Sequence, residues 1–362
     1  MPILGAKGAA SVGGFGFNGG FGPCLIVATG GDSVVDSGDF RTHIFTGTGN
    51  FAVKDVKAAS SGKVDYMVIA GGGSTGGDYG AGAGAGGFRI SNHPASGIPS
   101  PTMSPLVSTC GVTVTAQTYP ITVGAGGAGA TTNPAQTSGG VSTFASITSA
   151  GGGKGGSSTP GTGTAGGSGG GHVNQPGPQG AAGNTPPTSP SQGFPGGSSG
   201  NNSNNQGAGG GAAQKGQNTA DAGPATSPTS GTRGGDGSFI ADTFIGPTAP
   251  SYGEAGPVGS TRYFAGGGAG ASDTPQTNAV GGVGGGGDGN RPPNSPGCTS
   301  RTAGSTNMGG GAGGGPGSAT FKTVLFLRPA RAPFKIAIFS FGLFSSSGLL
   351  IMSLRSSPKT PA

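Results

Sequence analysis

Tryptophan is absent, Glu254 is the one glutamate, and only 8% of the residues are charged. Leucine is almost as scarce, with Leu4, Leu25 and Leu106 alone in residues 1–321. A coiled coil needs long runs of apolar a and d positions flanked by charge, and this chain has none. The three cysteines, Cys24, Cys110 and Cys298, lie far apart with no CxxC, and His43, His93 and His172 are equally scattered. Zinc sites need clustered ligands, so the thiols read as small incidental or buried groups. Residues 1–22 are broken by Gly every few positions, which leaves no apolar stretch of signal-peptide length.

What the chain has is glycine. Of 362 residues, 87 are Gly and 29 are Pro, about a third together, a level that without a strict period marks low complexity. Gly and Pro break helices, so an all-helical fold is excluded. The net charge of +6 does not describe the body. Acids and bases balance over residues 1–321, and the excess comes from Lys322, Arg328, Arg331, Lys335, Arg355 and Lys359. A nucleic-acid binder shows a basic face on its folded domain. None is visible, so no nucleic-acid partner is expected.

Four stretches differ in composition: a flexible Gly-rich segment over 1–22, a β-rich core over 23–150, a Gly-rich extended region over 151–328 that returns a strand or two to the core, and an apolar basic tail over 329–362. In the second, Cys24–Ala28 is a short apolar run. Phe40, Thr42 and Ile44 alternate with Arg41, His43 and Phe45. Phe51–Val56 follows the turn Gly47–Asn50, which predicts a hairpin. Val64–Ala70 alternates and is apolar on both faces from Tyr66 on, which predicts burial on both sides. Phe88–Ile90, Val112–Ala116, Tyr119–Val123 and Val141–Ile147 are further strands. Short strands at such intervals predict an all-β fold with a small sandwich-like core.

Three strand-like runs end in Ala followed by three Gly: Ala70–Gly73, Ala150–Gly153 and Ala265–Gly268. Collagen needs Gly at every third residue over long runs, and the triplets in Gly177–Gly183 stop after two. Poly-Gly can instead be coil or extended three-fold helices of polyproline-II type. With hydrogen as side chain, such helices can approach and pair backbone to backbone. Gly clustering after each strand favours packed polyglycine-II-like segments with long loops between them. They would leave the strand ends of a single core that also takes in strands near Tyr263–Ala265 and Thr323–Arg328. The Asn/Pro stretch Asn184–Gln206 reads as a loop.

Gly71–Gly76 matches G-x-G-x-x-G after a strand, but dinucleotide binding also needs a helix there and an acid about 20 residues on. Neither is present, and no cofactor is expected. Gly153-Lys154 is followed by Gly155, so there is no Walker motif. Acids sit in Gly-rich turns such as Gly235-Asp236-Gly237, without a dense calcium loop. No Ser or His lies in a nucleophile context, and no catalytic or metal residues are assigned: the chain reads as a non-enzyme. Ile336–Leu354 is 19 residues without charge, long enough to span a bilayer but interrupted by Ser345–Ser347 at its centre.

The series Thr29–Gly31, Gly38–Thr46, Gly49–Val53 and Val64–Gly73 resembles the glycine-rich domain of marine bacteriophage structural proteins and is similar to tail-fibre adhesin tips. Ala85–Arg89, Tyr119–Gly127 and Tyr263–Gly268 fit the same pattern, over about residues 23–328. The resemblance implies a virion (tail) protein in host attachment, with other tail proteins, a host-surface receptor and copies of itself as partners. Its variable loops would be Asn184–Gln206 and Ala241–Arg262. It names no receptor and transfers no site residues. The alternative is a cellular surface or secreted glycine-rich structural or ice-binding protein, although Thr and Ser show no regular spacing for a flat ice face. Thr323–Arg328 resembles the family's closing strand, but Pro329 stands where that strand has an aromatic. The expectation is therefore that residues after Arg328 are not part of the working fold: they are out-of-frame or read-through sequence, or a membrane or docking segment.

Overall fold

The computed structural model describes residues 25–38, 40–58, 60–76, 80–92, 103–129, 135–158, 161–177, 179–200, 206–221, 232–271, 279–289, 301–315 and 325–329. Residues 1–22, Cys24, Cys298, His93 and the apolar tail after Pro329 lie outside them; Pro329, expected to fall outside the working fold, pairs with Val64 as the last residue of a strand. The fold is all-β, with one short α-helix, α1 (Asp242–Ile245), among the described residues.

Three sheets stack around two apolar layers. The central sheet has seven strands: β2 (Ser33–Ser37), β3 (Phe40–Phe45), β15 (Leu325–Pro329), β5 (Lys63–Ile69), β6 (Phe88–Ser91) and β7 (Val107–Ser108) in that order, with β8 (Val112–Thr113) also on β5. A five-stranded sheet covers one face, ordered β1 (Ile26–Thr29), β4 (Gly49–Val56), β9 (Thr118–Thr122), β10 (Ser142–Phe144) and β11 (Ile147–Ser149). The alternation along β5 sets the layers. Val64, Tyr66 and Val68 join Leu325 and Leu327 against Phe51, Tyr119, Ile121 and Phe144 of the outer sheet. Met67 and Ile69 join Phe88, Ile90 and Phe326 on the other face. There they meet α1 and the three-stranded sheet of β12 (Ser238–Ala241), β14 (Thr261–Phe264) and β13 (Glu254–Ala255). Each large side chain buried here contributes about 1.5–3 kcal/mol.

The returning strand lies in the middle of the fold. β15 pairs antiparallel with both β3 and β5, placing Arg328 opposite Asp65. Arg328 is 4% exposed, with its guanidinium carbon 3.6 Å from the Phe40 ring centroid. Burial lowers its pKa to about 10, partly offset by Asp65. β14 joins the same apolar cluster through Phe264, whose ring centroid lies 6.3 Å from that of Phe326, but it belongs to a separate sheet.

Two local expectations are corrected. β3 and β4 are not a hairpin: β3 pairs with β2 and β15, while β4 pairs with β1 and β9. The Gly47-Thr48 turn carries the chain from one sheet to the other, because Phe45 and Phe51 both bury into the layer between them. Val141–Ile147 is not one strand. It folds back at Ala145, whose φ is +49°, and Phe144 pairs with Ile147.

Beyond the strand ends the glycine runs form a hydrogen-bonded bundle. Along 80–87, every third residue donates to the same neighbour. Ala81, Gly84 and Gly87 donate to Gly156, Gly153 and Ala150 at 2.9, 2.9 and 2.8 Å. Gly82 and Ala85 donate to Gly207 and Gly210, and Ala83 and Gly86 to Ala312 and Gly309. The carbonyls accept with the same period: Gly82 and Ala85 from Gly171 and Ser168, Gly84 and Gly87 from Gly73 and Ala70, Gly80 and Ala83 from Ala271 and Gly268. An extended helix of about three residues per turn thus stands among six neighbours. On the rim, Gly124 and Gly127 are buried while Ala125 and Ala128 are exposed, the same period seen as burial. Each such bond is worth about 0.5–1.5 kcal/mol net against about 1–2 kcal/mol per ordered residue. The bundle therefore depends on the β-layers that hold its strand ends at Ala70, Ala150 and Ala265.

Candidate functional site

At the rim of the bundle one cleft gathers several long polar side chains. In the segment 232–237, Thr232, Gly234, Gly235 and Gly237 are buried while Arg233 and Asp236 face outward, half-exposed. Beside it the chain turns at 211–214, where Gly211 N–H donates to the Gln214 carbonyl at 2.9 Å, and returns so that Gln217 N–H donates to the Arg233 carbonyl at 3.1 Å. Gln214, Lys215, Gln217, Arg233 and Gly234 line a cleft of about 280 Å³.

Backbone donors fix both glutamines. Arg233 N–H donates to Gln217 Oε1 at 2.8 Å, and Asp236 N–H to Gln214 Oε1 at 3.3 Å. A side-chain amide whose oxygen faces an N–H is oriented by it. Arg233 Nη2 donates to Asp236 Oδ1 at 2.6 Å, and Val283 N–H donates to the same oxygen at 3.0 Å. Asp236, read from sequence as an acid in a Gly-rich turn without a calcium loop, is thus a positioning partner for Arg233. Sequence reading missed this cleft. Its one signal is the run Gln214-Lys215-Gly216-Gln217, which sets three long polar side chains within four positions of a Gly-rich stretch.

The other chemically capable residues are not brought together. His43 on β3 is buried, its Nδ1 2.7 Å from the Gly30 carbonyl and its Nε2 without a partner. His172 lies in the bundle, where Nδ1 accepts from Gly163 N–H at 3.0 Å. Burial lowers the pKa of both. Cys110 is an exposed free thiol on the Ser108 turn. Among the described residues no three His, Cys, Asp or Glu form a metal-binding group, and no helix is long and apolar enough to cross a membrane. The Gly71–Gly76 run lies inside the bundle. Gly71, Gly73 and Ser74 donate their N–H groups to Gly140, Gly84 and Thr137, the donors a pyrophosphate would require.

The two stretches read as host-facing loops are only partly exposed. Asn184 Oδ1 accepts from Thr188 N–H, Thr188 Oγ1 and Gln192 N–H, which closes 184–192 into a compact knot. Gln192 is buried, with Oε1 accepting from Ala150 N–H. Gly193–Ser199 then joins the bundle: Phe194 donates to Gly211 and Gly197 to Ala208. Within Ala241–Arg262, Phe244 and Ile245 of α1 are core residues, and the Pro257–Ser260 turn is exposed. The reason is common to both stretches: each carries apolar or Gly-rich segments that fill space next to the layers they leave.

A protein family described as a glycine-rich domain matches residues 46–323. No curated protein and no solved structure matches the chain.

Proposed function

The chain belongs to the glycine-rich domain family, and from that premise we propose that it is a phage virion structural protein, a tail-fibre or tail-associated adhesin subunit in host attachment. The observation that carries the reading is the six-neighbour glycine bundle rooted in the β-layers. Such a bundle is a rigid spacer with few charged side chains to titrate, and it displays at its rim the residues that could meet another surface. Binding residues generally sit on segments held by a rigid scaffold. Its partners in this reading are other tail proteins, further copies of the chain and a host-surface receptor.

Mass spectrometry and antibody labelling of purified particles test the placement, and pre-incubation of host cells with the purified protein tests attachment. The chain is expected in particles, with label at the tail, and soluble protein is expected to slow adsorption. Absence from particles, with label on cell envelopes instead, would replace this reading by that of a cellular surface protein.

A further inference from the structure

We propose that the cleft between the 211–217 turn and the 232–237 segment binds the oxyanion group, carboxylate or phosphate, of a small ligand. The inference stands on the cleft alone and goes beyond the attachment reading.

The donor and acceptor inventory decides the class. Both glutamine oxygens already accept backbone N–H groups, so what Gln214 has left to offer is its amide N–H₂. Arg233 commits Nη2 to Asp236. A guanidinium carries five N–H donors and no acceptor, so any group that meets its remaining donors must accept. Lys215, exposed on the same wall, adds positive charge beside Arg233. The Asp236 oxygen beside it is occupied by Arg233 and Val283 N–H. A neutral polyol needs acceptors for its hydroxyl protons as well as donors, and the two glutamine oxygens and Asp236 Oδ1 each already take one or two N–H groups. An oxyanion needs donors alone, and Arg is suited to its planar geometry. At about 280 Å³ the cleft lies at the lower end of ligand sites, the size of one acidic sugar or a phosphate with its water.

Calorimetric or NMR titration of the full chain with glucuronate, inorganic phosphate and glucose tests this. Saturable binding of glucuronate or phosphate with Kd of about millimolar is expected, weakening several-fold as salt rises from about 0.05 to about 0.5 M. Tighter glucuronate assigns the oxyanion to a saccharide, and tighter phosphate to the free ion. Arg233→Gln should weaken binding at least about tenfold and Gln214→Ala to a lesser degree. Lys215→Gln, at an exposed position, guards against a folding artefact in the other two. The proposal is overturned if neither anion binds, if glucose binds as well as glucuronate, or if all three folded variants bind like the parent.

Discussion

Gly86 and Ala70 meet backbone to backbone: a β-carbon placed on Gly86 would overlap the carbonyl oxygen of Ala70. Both residues lie where β-strands continue into glycine helices, so the contact joins the layers to the bundle. Gly86→Ala must displace main chain on both sides. Overpacking of this kind costs about 1–3 kcal/mol or more, and a clear drop in thermal midpoint is expected. Gly177→Ala is the control, since its nearest neighbour would be the Gln179 carbonyl at 3.7 Å. It should melt like the parent, and equal losses in both variants would contradict the packed bundle.

Acid should weaken the fold through its histidines. Burial lowers the pKa of His43 below its ordinary 6.5, with Arg41 acting the same way and the Gly30 hydrogen bond and Asp36 opposing. His172 is lowered by burial too. The unfolded chain therefore binds more protons than the folded one below about pH 6.5. Stability is fully present above that value and falls as pH drops through it, by about 1.4 kcal/mol for every tenfold difference in proton affinity between the two states. Denaturant midpoints between neutral pH and about pH 5 check this. His43→Gln should flatten the profile, and an unchanged slope would mean His43 is protonated within the fold.

Arg328 holds the centre of the seven-stranded sheet. A buried charge is costly unless it is compensated, and Arg328 stands opposite buried Asp65 in the ladder and over the Phe40 ring, so Arg328→Met should unfold at markedly lower denaturant. Arg328→Lys is expected to recover little, because a flat guanidinium stacks over Phe40 and an ammonium does not. Full recovery by lysine would show that charge alone matters there.

Glu254 pins a bend in the bundle. Its Oε2 accepts from Gly284 and Gly285 N–H at 2.7 and 2.9 Å, and both glycines have positive φ, +102° and +86°. Consecutive N–H groups in this conformation form a concave anion site. Glu254→Gln should speed hydrogen exchange at these two amides, with a global loss of only about 1 kcal/mol because the carboxylate is exposed. Unchanged exchange would show that the bend holds itself.

Much of this fold was legible in the sequence where residues alternate. β5 was readable because Val64, Tyr66 and Val68 face one layer and Met67 and Ile69 the other. β15 was readable as a lone apolar run after a long Gly-rich stretch. The partners of β3 and β4 were not. A Gly-containing turn between two strands looks the same whether it closes a hairpin or crosses between sheets, and the choice is made by Phe45 and Phe51 burying into the layer between the sheets. β2 was missed because Ser33, Asp36 and Ser37 dilute its two valines. The Ala-Gly-Gly-Gly junctions announced the bundle, but its register depends on backbone pairings among segments that differ little in sequence. The cleft is hidden for the same reason: Arg233 and Asp236 reach Gln217 and Gln214 only once two glycine helices lie side by side.

The place of β15 between β3 and β5 has a consequence for the order in which the molecule is made. Its two neighbours are the third and fifth of the described strands, and β15 is the last. Until residues 325–329 emerge from the ribosome, β3 and β5 have a vacant slot between them, with Ile44, Met67 and Val68 facing water. Contacts of such wide sequence separation are slow to form, so the central sheet stays open for as long as residues 70–324 are being made. A chaperone, or a neighbouring copy's strand in the same slot, has that entire interval in which to act.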